Sequence, residues 1–188
     1  MKRVYLFLAD GFEEVEALTP ADYLRRAGID VKLVSISGGK TVTGSHGIPV
    51  IADMLAADLC RAPVSVGDGL ILPGGLPGAE KLAASGEVDA LLKEAARAGV
   101  LICAICASPA FVLAPKGLLD GRRWTCYPGA ESGAGKAKES WIEDRVAADK
   151  NLITSRAAGT AAEWSVKIIE TLLGAEAAAK VAQSVLLN

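Results

Sequence analysis

The stretch "LICAICASPAFVLA", residues 101–114, decides how the chain is read. Its first half is an unbroken apolar run, the composition of a strand covered on both faces. "VLICAIC" (100–106) is therefore assigned as a buried strand. "SPAFVLA" then reads as helical, with Pro109 tolerated near the first turn, where its missing N–H would have no partner. Cys106 falls on the junction. A thiol at a strand-to-helix turn meets the positive end of the helix dipole, which favours thiolate and predicts a lowered pKa.

Working outward, the same alternation repeats. "RVYLFLA" (3–9) is a second continuous apolar run, and "GFEEVEALTPADYLRRAGI" after it reads as a helix. That helix has acids in its first turn, two arginines in its last and Gly28 as its stop. "DVKLVSI" (30–36) and "GLILPGG" (69–75) are further strands, and "GGKTVTGSHGIPVIAD" suggests short peripheral strands joined by a turn. "AEKLAASGEVDALLKEAARAG" is helical in two pieces split at Gly86. "RRWTC" (122–126) and "NLITS" (151–155) are strand candidates, and two helices, "TAAEWSVKIIETLLG" and "AEAAAKVAQSVLL", close the chain. Strands alternating with helices imply an α/β fold with a mainly parallel central sheet and helices on both faces.

Composition narrows the function. At 188 residues, one compact domain over 1–188 is expected. Net charge is −2 and the basic residues are scattered, so neither a nucleic-acid surface nor an anionic-membrane surface is expected. No apolar run reaches the length of a membrane span, and the short one after "MKR" lacks the features of a secretory signal. The expected location is the cytoplasm, with Cys60, Cys103, Cys106 and Cys126 reduced. His46 is the only histidine. With one histidine and scattered cysteines, no metal site and no cofactor are expected.

Three strand ends carry unusual residues: "DGFEEVE", "PGG" and "CAS". Parallel strands bring such ends to one edge of a sheet, where open α/β sheets bind ligands. A thiol, a set of carboxylates and a glycine pair are thus expected to share a crevice. Backbone N–H groups after Cys106, with those of Gly74 and Gly75, could stabilise an oxyanion. Glu13, Glu14 or Glu16 could share a proton with the thiolate and later move a substrate proton. Plain alternatives stay open: Cys106 as a small core residue, the acids as a first-turn dipole arrangement and "LPGG" as a turn. "CAIC" matches C-x-x-C, but Cys103 lies inside the apolar run instead of at a helix start. Cys60 and Cys126 read as structural.

Taken together, "ADGFEEVEALTPADYLRRAG", "ILPGG", "AICASPAFVLA" and "ITSRAAGT" resemble the ThiJ/PfpI superfamily, and its DJ-one-like branch most closely. The resemblance covers nearly the whole chain. It implies a flavodoxin-like three-layer sandwich, usually in a homodimer, acting on small carbonyl substrates without a cofactor. It implies that Cys106 is the nucleophile on a strained elbow, that Glu16 is its protonated partner, and that the backbone of Gly75 and Ala107 forms the oxyanion site. Relatives are described as glutathione-independent glyoxalases acting on methylglyoxal and as deglycases. A second reading is a redox sensor or holdase chaperone of oxidative stress using the same thiol without turnover. The chain departs from the family's pattern in places. Ala107 stands where protease-like members place histidine, Tyr127 where some relatives have histidine, and His46 where others have arginine. His46 could contact an anionic group at the pocket mouth, but a solvated loop histidine is the reading favoured over it.

Overall fold

The computed structural model describes residues 1–61 and 66–187. The chain begins with β1 (Arg3–Leu8) and α1 (Glu14–Arg26), followed by β2 (Asp30–Ser35). A hairpin of β3 (Thr41–Thr43) and β4 (Pro49–Ile51) leads to β5 (Met54–Leu55) and the short α2 (Ala56–Leu59). Next come β6 (Gly69–Leu72), α3 (Gly78–Ala84), α4 (Gly86–Ala98) and β7 (Leu101–Ile105). After a long irregular stretch, β8 (Val146–Asp149), β9 (Leu152–Ser155), α5 (Ala161–Leu173) and α6 (Ala175–Ser184) complete the fold.

Seven strands form one sheet in the order β5-β2-β1-β6-β7-β9-β8, and every neighbouring pair is parallel except β8 with β9. The chain leaves β1 toward β2 and β5, then returns across β1 to lay down β6 on its other side. This reversal splits the connections after β1 and β6 to opposite faces and opens a crevice at their carboxyl ends.

Alternation along the strands builds two cores. Tyr5, Phe7, Leu70, Leu72, Ile102 and Ala104 face the α2–α4 side. Val4, Leu6, Leu8, Ile71, Cys103 and Ile105 face the side covered by α1, α5 and α6. A strand buried on both faces needs side chains that are apolar at every position, which is why "RVYLFL" and "LICAI" lack a polar alternation. Each large side chain so buried contributes about 1.5–3 kcal/mol.

The break expected at Gly86 occurs one residue earlier, where Ser85 Oγ accepts the Val88 N–H at 3.3 Å and caps α4. α4 ends at Gly99, whose φ of 67° is left-handed. The strand expected at 122–126 is not formed. Trp124 is fully buried, and its only ladder-type contact is an isolated bridge to Trp141. The Thr125 N–H goes to the Thr154 side-chain hydroxyl at 2.8 Å instead of to a strand carbonyl. The place beside β9 is taken by β8, which leads into β9 through a tight turn at Lys150 (φ 53°).

Candidate active site

β7 ends at Ile105, and Cys106 follows with φ 61°, a left-handed conformation that costs a non-glycine residue about 1–3 kcal/mol. Its backbone is held on both sides. The Cys106 N–H donates to the Ser155 carbonyl at 3.0 Å, and its own carbonyl accepts the Tyr127 N–H at 2.8 Å. Ser108, fully buried, donates its hydroxyl to the Pro73 carbonyl at 2.5 Å and ties the turn to the end of β6. The helical reading of "SPAFVLA" resolves into one π-helical turn at Pro109–Leu113 and a 3-10 turn at Ala114–Lys116.

Glu16 approaches from the first turn of α1 and is 1% exposed. Its Oε2 accepts the Gly74 N–H at 2.9 Å, the Ala158 N–H also reaches the carboxyl, and the side chain hydrogen-bonds to Cys106. Burial, with the nearby charge of Glu13, outweighs these bonds and pushes the Glu16 carboxyl up to about 7. Gly74 is required by space. A Cβ there would lie 2.6 Å from the Cys106 Cβ and 2.7 Å from Glu16 Oε2. The structure also changes its role: the Gly74 N–H is spent on Glu16 and is not free for an oxyanion. The N–H groups of Gly75 and Ala107, by contrast, do point at the Cys106 sulfur. Gly75 has φ 86° and passes so close to the Glu13 N–H that a Cβ would sit 2.5 Å away.

The expected lowering of the Cys106 pKa does not hold. Burial first, then the charge and hydrogen bond of Glu16, push the thiol up to about 12, against the pull of the two N–H donors. The segment after the thiol is a single π turn with little dipole to offer, and desolvation wins. Cys126 is also raised to about 12 and the fully buried Cys103 is raised by burial alone. What singles out Cys106 is its partner. Between the two titrations the pair carries one proton, and the hydrogen bond lets it sit on either atom. When Glu16 holds it, the repulsion on sulfur disappears, and the acid O–H with the N–H groups of Gly75 and Ala107 stabilises a thiolate.

His46 lies elsewhere. Its N–H and Nδ1 contact Glu14 at 2.8 and 2.9 Å, and its side chain is 68% exposed. Burial opposes charge on Glu14, but the His46 ring and three backbone N–H groups lower its carboxyl to about 2. Glu14 is thus a hairpin anchor, and only Glu16 of the three acids reaches the thiol. Two contributors were not recognised in the sequence: the Ser155 carbonyl and the Ala158 N–H, both in "ITSRAAGT" at the end of β9. Their signal was the parallel strand itself, which delivers its carboxyl end to the same edge.

The fold and site define an α/β protein with a strained cysteine elbow paired to a buried acid. Comparison with known proteins is specific: the DJ-1/PfpI family matches residues 2–171, and the chain belongs to that family. Protein dj-1beta of Drosophila melanogaster is 39% identical over 186 residues, covering 98% of this chain and 97% of that protein. Glutathione-independent glyoxalase DJR-1.2 of Caenorhabditis elegans is 34% identical over 164 residues, covering 87% and 84%. The solved structure of oxidized Toxoplasma gondii DJ-1 superposes with a TM-score of 0.93 at 36% identity, covering 99% of this chain and 98% of that one. The chain spans 40% and 47% of the length of DJ-1 homologs B and A of Arabidopsis thaliana. Among the described residues, no helix is long and apolar enough to cross a membrane.

Proposed function

We propose that the protein is a cofactor-independent glyoxalase that converts methylglyoxal to lactate, with related deglycase activity on early glyoxal adducts of thiols and amines. The observation that carries this reading is the Glu16–Cys106 hydrogen bond, one shared proton between a nucleophile and a carboxyl poised near 7. The thiol passes its proton to Glu16 and adds to the aldehyde carbon, and the acid protonates the new oxygen to give a hemithioacetal. N–H groups of Gly75 and Ala107 suit the developing oxyanion. Glu16 then takes the proton from the former aldehyde carbon and returns it to the neighbouring carbon, while the hydroxyl proton passes from the first oxygen to the second through the enediol, leaving a 2-hydroxy thioester. Water cleaves the thioester, releases lactate and restores the thiol.

Exposed Val15 and Leu18 on α1 and Ile48 and Ile51 on the hairpin support a homodimer. The Ile48 N–H reaches Glu14, which sets the hairpin turn beside the start of α1. The free cysteines suit a reducing compartment such as the cytoplasm. A second reading, redox sensing with or without a holdase role, is favoured by the N–H pair on the sulfur, which would also stabilise a sulfinate. The test is turnover of methylglyoxal without glutathione. Wild type should form lactate, Cys106→Ser should not, and Glu16→Gln should lose about a hundredfold or more in kcat. Equal turnover by Glu16→Gln would reject the acid–base role, and no turnover by wild type would leave redox sensing as the better reading.

A further inference from the structure

The start of α1 and the hairpin turn place four donor atoms together, apart from the thiol. Glu14 Oε2 lies 2.9 Å from His46 Nδ1 and 3.2 Å from Ser45 Oγ. Glu13 Oε2 lies 3.2 Å from Ser45 Oγ and 3.6 Å from His46 Nδ1, and Ser45 Oγ is 3.1 Å from the same nitrogen. Ligand atoms of Glu13, Glu14 and His46 all fall within 4.8 Å of one another. A tetrahedral cation with bonds of about 2.0–2.1 Å needs donors about 3.3 Å apart, the edge of its tetrahedron. The observed separations bracket that edge, so a small opening between Glu14 and His46 would admit an ion.

The central ligand is already built. Glu14 is 4% exposed, and its Oε1 is fixed by the N–H groups of His46 at 2.8 Å and Ile48 at 3.4 Å. Those bonds orient the carboxylate and leave Oε2 facing the cluster, as outer partners do around ligating carboxylates. Gly44 makes this packing possible, since a Cβ there would come 2.3 Å from the Glu14 carboxyl. The nitrogen comes from a different element than the two oxygens, and the set is one imidazole with two carboxylates, a donor set that zinc accepts.

We infer that Glu13, Glu14 and His46 form a binding site for a divalent transition cation of the zinc class, with Ser45 Oγ or a water at the fourth corner. The ion would clasp the β3–β4 hairpin to the start of α1, at a place distinct from the Cys106 sulfur. The set is not apparent in the sequence, because its carboxylates are adjacent in the chain while the histidine lies over thirty residues away.

The test uses chelator-stripped protein in wild-type and Cys106→Ser forms, titrated with ZnCl2 by calorimetry and with CoCl2 by absorption. One ion should bind per chain in both forms. Cobalt should show the visible bands of a four-coordinate ion without thiolate-to-metal charge transfer. His46→Ala and Glu13→Gln should each weaken binding by about tenfold or more, the scale on which metal sites respond to loss of a supporting group. Zinc should raise the melting temperature of wild type and leave that of His46→Ala unmoved, each compared with its own metal-free melting point. Absence of one-to-one binding to wild type overturns the site. So does binding that persists in His46→Ala, or that is lost in Cys106→Ser.

Discussion

Replacing Glu16 with glutamine should change how folding stability depends on pH, and the size of the change follows from the burial of the carboxyl. Glu16 moves from an ordinary value of 4.5 to about 7 in the folded protein. Between those values the native state holds a proton that the unfolded chain has released, so stability falls as pH rises. The contribution is intact below pH 4.5 and lost above about 7. At 1.36 kcal/mol per unit the loss is roughly 3 kcal/mol, undiluted by solvent because the side chain is buried. Glutamine keeps the shape and cannot ionise, so the variant lacks this slope. Urea unfolding of wild type and Glu16→Gln at pH 4.5 and pH 8 gives the double difference, in which every other titrating group cancels. Glu16→Gln should gain roughly 3 kcal/mol on wild type across that interval. The Cys106 thiol, raised to about 12, titrates outside it. A double difference near zero would mean that the carboxyl is not desolvated in solution, and the shared proton would have no basis.

Gly74→Ala forces the Cys106 and Glu16 side chains apart by close to an ångström, and misplacement on that scale costs about a hundredfold in rate. Methylglyoxal turnover and thiol alkylation, measured with circular dichroism to verify the fold, would show it, and a fully active Gly74→Ala would contradict the packing described. Gly75→Ala should destabilise the protein by more than the roughly 1 kcal/mol typical of a helix glycine, since it combines φ 86° with backbone contact at 2.5 Å. Thermal melts would decide, and an unchanged melting temperature would count against that geometry. Graded peroxide followed by mass spectrometry should place oxidation on the partly exposed Cys106 before Cys103 and Cys126, which are fully buried. Even oxidation of all four thiols would remove any special status of the site. Light scattering should give twice 19.3 kDa, and Ile51→Asp, at a residue 75% exposed, should shift the mass toward the monomer. A wild-type monomer at micromolar concentration refutes the dimer.

What was legible in the sequence was whatever depended on period and burial. β1, β6 and β7 are buried on both faces and therefore announce themselves as apolar runs, and the fold brings Cys106, Glu16 and the glycine pair together beyond their carboxyl ends. What failed depended on competition for a partner. "RRWTC" has strand composition, yet Trp124 is buried by donating its Nε1–H to the Ala137 carbonyl, and the Thr125 N–H goes to the Thr154 hydroxyl. β8 is alanine-rich and at the sheet edge, so it has no alternation to betray it. The "DKN" turn ahead of β9 was its one available signal. At the site, the thiol's place was readable but its electrostatics were not. The near-complete burial of Glu16, 1% exposed, is a property of packing, and it reverses the direction that a helix dipole alone would suggest. His46 is the exposed loop histidine that the sequence favoured, but nothing local tells that a buried Glu14 claims its ring.

The extended geometry of β7 has a further consequence for the pair Cys103 and Cys106. At about 3.3 Å per residue, three steps separate their Cα atoms by about 10 Å, beyond the reach of a disulfide. Cys103 is also sealed beneath α1 and α5, and Cys126 packs into the core on the opposite face of the sheet. A sulfenic acid formed at Cys106 therefore meets no resolving thiol from its own strand and is open to a second oxidation, past the point from which thiols can retrieve it. Damage of that kind would be retained as a cumulative history, cleared by replacing the molecule and not by reducing it.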